Sequence, residues 1–64
     1  MCVNGAEKSL TDACCLKEFL ERENYDINRV AVERNGEIVP RSVFDTVMLC
    51  DSDRLEIVAF IGGG

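Results

Sequence analysis

The chain has 64 residues, with twelve Asp and Glu against seven Lys and Arg for a formal net charge of -5, four Cys, one Pro, and neither His nor Trp. A chain of this length makes one small domain that buries only about 60% of its unfolded surface, which leaves little room for an enclosed active site. The missing histidine removes the usual general base near neutral pH and every His-ligated metal site, and the acidic balance removes the footprint of a nucleic-acid or anionic-membrane binder.

No apolar run approaches the roughly 20 residues that span a bilayer, and Met1-Cys2-Val3-Asn4-Gly5 lacks the charged start and apolar stretch of a signal peptide. The expectation is therefore a cytoplasmic protein whose cysteines stay reduced. Cys2, Cys14, Cys15 and Cys50 include no Cys-x-x-Cys pair and no tight cluster of the kind that ligates zinc or iron–sulfur centres, so no metal is expected.

Met1-Cys2-Val3 is a short apolar run closed by Asn4-Gly5, a dipeptide suited to a two-residue hairpin because both positions tolerate positive φ; residues 6–10 read as the returning strand. Thr11 or Asp12 then offers an N-cap, and a helix is expected to follow as far as Glu23. At 100° per residue it sets Ala13, Leu16, Phe19 and Leu20 on one side and Lys17, Glu18 and Glu21 away from it, with Cys15 at the edge of the stripe and Cys14 nearly opposite its centre. Asn24 suits the left-handed position that closes such a helix.

Residues 30–34 and 37–39 flank Asn35-Gly36, the strongest hairpin signal in the chain, and Pro40, with no N–H for a ladder, ends the pairing. Residues 41–45 read as an irregular or single helical turn, residues 46–49 as a short extended piece, and Asp51-Ser52-Asp53 as the last turn. Residues 55–61, Leu55-Glu56-Ile57-Val58-Ala59-Phe60-Ile61, form the most apolar strand and suit a central position beside the first strand. The expected fold class is α+β, a β-grasp with a mixed sheet of four to five strands and one packed helix. By alternation Leu55, Ile57 and Ala59 face the helix, and Val58 and Phe60 face a side that no helix covers.

The strand runs into Gly62-Gly63-Gly64, which buries nothing and costs backbone entropy. Residues 1–61 are thus read as the domain and 62–64 as a tail. A tail of this kind is either a flexible end or a slender lead that lets a carboxylate enter another protein's active site. A carboxylate ionised at neutral pH is a poor electrophile, so acyl chemistry there needs prior activation, for example by ATP.

Taken together, Asn24-Tyr25-Asp26-Ile27-Asn28-Arg29-Val30-Ala31-Val32-Glu33-Arg34-Asn35-Gly36-Glu37-Ile38-Val39-Pro40-Arg41, Asp51-Ser52-Asp53-Arg54-Leu55-Glu56-Ile57-Val58 and Phe60-Ile61-Gly62-Gly63-Gly64 resemble the sulfur carriers of thiamine biosynthesis, the ThiS family. Val3-Asn4-Gly5 and the helix positions Leu16, Phe19 and Leu20 fit the same pattern. The resemblance implies a ubiquitin-like fold and no catalysis by the chain itself. It implies that Gly64 is adenylated by an E1-like activating enzyme using ATP and magnesium, with no cofactor bound by the carrier. Sulfur from a cysteine-desulfurase persulfide then makes a C-terminal thiocarboxylate that thiazole synthase consumes. Gly62 and Gly63 give reach, and Val58 and Phe60 form either a secondary core or the patch that docks the activating enzyme. Three departures stand out: a first strand that begins about two residues late, Ser52 where the family has glycine, and a third tail glycine, Gly62. A molybdopterin-type carrier, a ubiquitin-like modifier and a passive interaction module with an inert tail are the alternatives. Cys14 and Cys50 could handle persulfide or pair; the simpler reading of all four cysteines is small apolar or surface thiols.

Overall fold

The computed structural model describes residues 1–10 and 12–60, so Thr11 as a helix cap, Ile61 as the end of the last strand, and the Gly62, Gly63 and Gly64 tail lie outside the described residues. Five strands, β1 (Cys2–Val3), β2 (Ala6–Glu7), β3 (Val30–Arg34), β4 (Glu37–Val39) and β5 (Arg54–Ala59), form one sheet in the order β2-β1-β5-β3-β4. β5 runs parallel to β1 and antiparallel to β3, while the two hairpins β1-β2 and β3-β4 are antiparallel. The single α-helix among the described residues, α1 (Leu16–Arg22), lies between the hairpins in sequence. This is the mixed sheet and lone helix of a β-grasp, with the most apolar strand at its centre.

Both hairpin turns use the left-handed backbone that their Asn-Gly pairs permit: φ is 50° at Asn4 and 83° at Gly5, and 53° at Asn35 and 87° at Gly36. Asn4 has a second role. Its side-chain amide accepts from the Ile57 N–H at 2.7 Å and donates to the Ile57 carbonyl at 3.2 Å, continuing the grip of β1 on β5 after the strand itself has turned away.

The helix starts later than the sequence suggests. Cys15 is its N-cap, with extended backbone (φ -81°, ψ 164°), and its Sγ accepts from the Glu18 N–H while the Glu18 carboxylate accepts from the Cys15 N–H, a capping box built on sulfur. Two further first-turn donors are taken by a distant loop: Leu16 N–H donates to the Val47 carbonyl and Lys17 N–H to the Phe44 carbonyl. Residues 12–14 are therefore not helical, and the wheel drawn through them fails. Ala13 is exposed, and Cys14, placed by the wheel opposite the apolar stripe, is 1% exposed in the core. The other end fits expectation: Asn24 takes φ 64°, its N–H donates to the Glu21 carbonyl and the Tyr25 N–H to the Leu20 carbonyl, the paired bonds of a Schellman motif.

Three more expectations change. The return strand pairs only at Ala6–Glu7 and does not reach Leu10. Residues 46–49 contribute one isolated bridge, Met48 to Cys15, in place of a strand. Ala59 is exposed, although its partner Val30 places it on the helix side; at the last paired position of β5, alternation fixes the direction of a side chain but not what covers it. Arg41–Val43 is a 3-10 turn, the helical of the two forms, irregular or single helical turn, expected for residues 41–45.

The core is one layer. Leu16, Phe19 and Leu20 of α1 meet Val30, Val32, Leu55 and Ile57 of the sheet, and Met1, Cys14, Phe44 and Leu49 close its ends. Asp53 is the buried charge among the described residues at 5% exposure, and it ties the turn before β5 to the β3-β4 turn. Its carboxylate accepts from the Cys50 N–H at 2.8 Å, Arg34 Nε at 3.0 Å and Asn35 Nδ2 at 3.1 Å. Burial alone would raise this carboxyl; the Cys50 N–H, the Asn35 amide and the Arg34 guanidinium outweigh it and hold the group below its ordinary value.

Candidate functional site

The site is the end of β5 and the sheet face beside it. β5 is hydrogen-bonded on both sides, and the pairing persists past its last residue, since the Phe60 N–H donates to the Arg29 carbonyl at 2.7 Å. The chain is thus held by the sheet up to the residue before Ile61-Gly62-Gly63-Gly64.

The face away from α1 carries the apolar pair that the sequence singled out. Val58 is 57% exposed and Phe60 59%. Register adds what sequence reading missed: Ala31 lies directly across from Val58, and Ile38, 73% exposed, lies across β3 on the same face. Ile38, Ala31 and Phe60 also border a shallow groove with Pro40 and Arg41. The register places Ile38 on that face, because Val39 pairs with the buried Val32 and neighbours on a strand point to opposite faces. Four apolar side chains on one exposed face exceed the scatter of single surface hydrophobes.

The same face carries charge. Glu33 and Glu56 are direct partners across β3 and β5, and both are exposed. The thiols are placed elsewhere. Cys14 is buried in the core, and burial pushes its thiol up, away from the thiolate that sulfur transfer would need. Cys15 is occupied as a helix cap, Cys2 is half-buried in β1 and Cys50 is exposed; all four are free. Among the described residues no group of three or more His, Cys, Asp or Glu side chains could hold a metal ion, and no helix is long and apolar enough to cross a membrane.

The family model described as the ThiS family matches residues 2–64. The chain belongs to the ThiS family. Among its ThiS relatives, the sulfur carrier protein ThiS of Bacillus subtilis (strain 168) is 38% identical over 63 residues, covering 97% of this chain and 96% of that protein. A thiazole synthase of Paramagnetospirillum magneticum is 47% identical over 62 residues, covering 97% of this chain. This ThiS-family chain spans only 19% of that synthase's length. The crystal structure of the thiamine biosynthesis protein ThiS from Geobacter metallireducens superposes with a TM-score of 0.81 at 32% identity, covering 98% of this chain and 96% of that one. The ThiS fold is therefore shared along essentially the whole described chain.

Proposed function

We infer that this chain is a sulfur carrier of thiamine biosynthesis, acting in the cytoplasm at the carboxyl group of Gly64. The observation that carries this reading is the central strand, tied to the sheet through Phe60 and followed by Ile61-Gly62-Gly63-Gly64, in a chain that matches its family to residue 64. A ThiS-family chain is a co-substrate and not a catalyst.

The chemistry runs through partners. The Gly64 carboxylate attacks the α-phosphorus of ATP, bound with magnesium in an E1-like activating enzyme, and pyrophosphate leaves. The terminal sulfur of a cysteine-desulfurase persulfide then attacks the acyl carbon of the adenylate and AMP departs. Reduction of the resulting acyl disulfide by a second thiol leaves the thiocarboxylate, whose sulfur thiazole synthase takes. Gly62 and Gly63 narrow the approach, and Gly64 offers an acyl carbon with no Cβ beside it. Val58 and Phe60 dock the activating enzyme, with Ile38 extending the patch. Two relatives bearing the name thiazole synthase support the link to that partner.

Incubation with the activating enzyme, ATP, magnesium and a sulfur donor should raise the intact mass by the difference between one sulfur and one oxygen. Removal of Gly64 should abolish that gain without moving the urea midpoint. A truncated chain that still gains sulfur would show that the reacting carboxyl has been wrongly assigned.

A further inference from the structure

Across the outer face, β3 and β5 set Glu33 directly opposite Glu56. Like charges so placed destabilise a sheet. Neither carboxylate has an ion pair or a side-chain hydrogen bond among the described residues, although other cations of the chain are engaged: Arg34 with Asp53, Arg29 with Asp26, Lys8 with Glu23, and Arg41 with two carbonyls. Arg54 precedes Glu56 by two residues on the same face and makes no ion pair with either carboxylate. The opposed pair adjoins the apolar patch directly, since Ile38 is the partner of Glu33 on the other side, and Val58 follows Glu56 by two residues on β5.

We propose that this face receives a basic side chain, Arg or Lys, of the activating protein between Glu33 and Glu56, while Val58, Phe60 and Ile38 cover the apolar surface beside it. The inference rests on the carrier reading above and specifies the chemistry of its docking partner. Directly opposed side chains on neighbouring strands stand about 5 Å apart at Cβ, a span that the fork of a guanidinium bridges with separate N–H donors to each carboxylate. A second copy of this chain is the wrong occupant, because face-to-face contact would bring four carboxylates together on molecules that each carry a net charge of -5. A nucleic acid fails for the same reason. An apolar surface bearing a cation satisfies both halves of the face.

The test compares the full chain with Glu33→Gln, Glu56→Gln and the double variant in binding to the purified E1-like enzyme at several salt concentrations. Glu21→Gln, on the exposed side of α1 and so across the molecule, is the control. The double variant should bind about tenfold more weakly with a shallower salt dependence, and its urea midpoint should stay level or rise because the cross-strand repulsion is gone. Unchanged affinity and salt dependence overturn the proposal. Weaker binding with a lowered urea midpoint also overturns it, since the carboxylates would then act through the fold. A dimer in sedimentation that disappears with Phe60→Ala assigns the face to self-association and overturns it too. No binding by the unsubstituted chain overturns both this inference and the carrier reading, whereas normal binding by the chain and the double variant alike overturns this one alone.

Discussion

Asn4 shows how much one side chain can do in a domain with a two-residue first strand. Its positive φ makes the turn, its N–H donates to the Leu55 carbonyl at 2.9 Å, and its amide clasps both polar groups of Ile57. Asn4→Gly keeps the turn accessible and removes only the clasp. It should cost about 1 kcal/mol, the net worth of partly exposed hydrogen bonds, read as a lower urea midpoint at unchanged slope. Phe60 is the opposite case, an exposed ring that stabilises little in the free chain. Phe60→Ala should slow adenylation by about tenfold or more, as loss of an aromatic anchor does at interfaces, with a urea midpoint close to that of the parent. Unchanged adenylation kinetics would remove Phe60 from the docking surface. Cys14 shows where residue-level reading broke down: a helical wheel assumes a helix, and the backbone at residue 14 is not helical.

At the scale of elements, what could be read depended on how locally each element is determined. The β3-β4 hairpin is written in Asn35-Gly36, whose φ values of 53° and 87° suit few other residue pairs, and its strands were read to the residue. A Cβ at Gly36 would meet nothing within 4 Å, so Gly36→Ala isolates the backbone term. It should cost about 1–2 kcal/mol in denaturant unfolding through the left-handed conformation alone. The start of α1 is determined non-locally. Carbonyls of Phe44 and Val47, 27 and 31 residues beyond the donors they satisfy, take up its first N–H groups, and no signal within residues 11–16 announces them. β5 lies between these cases. Its apolar run predicted a central place and its alternation predicted the exposed faces of Val58 and Phe60, while the partners that make the outer face a surface, Ala31 and Ile38, needed the register.

For the molecule as a whole, Asp53 links stability to pH. Its carboxyl is held below the ordinary value of 3.8, so the stabilisation is complete above that value and disappears as pH falls through it toward the lower folded one. Urea midpoints measured from pH 7 downward should therefore fall steeply below about pH 4, where unfolded carboxylates take up protons. Asp53→Asn should lose about 1.5–3 kcal/mol at pH 7, the scale of a hydrogen bond to a charged group, and show a flatter acid limb. A flatter but not level limb is expected, because Asp51 and Glu18 are also held low, by the Met1 ammonium and the Cys15 N-cap respectively. In the sequence the tail is a glycine run within a family pattern, and its chemistry is the reading proposed above. The Asp53 hub was not legible there, because it joins two turns separated by 18 residues through side chains that any surface turn could carry.

The arrangement of β5 also has a mechanical side. A partner that grips the chain beyond Phe60 pulls along the axis of a strand whose hydrogen bonds to β1 and β3 lie across that axis. Such a load is borne in shear by both ladders at once, with the Asn4 clasp and the Phe60 to Arg29 bond sharing it, so nothing can peel from one end. On the carrier reading proposed above the domain serves as a handle, because a pull applied beyond Phe60 leaves the sheet behind it closed.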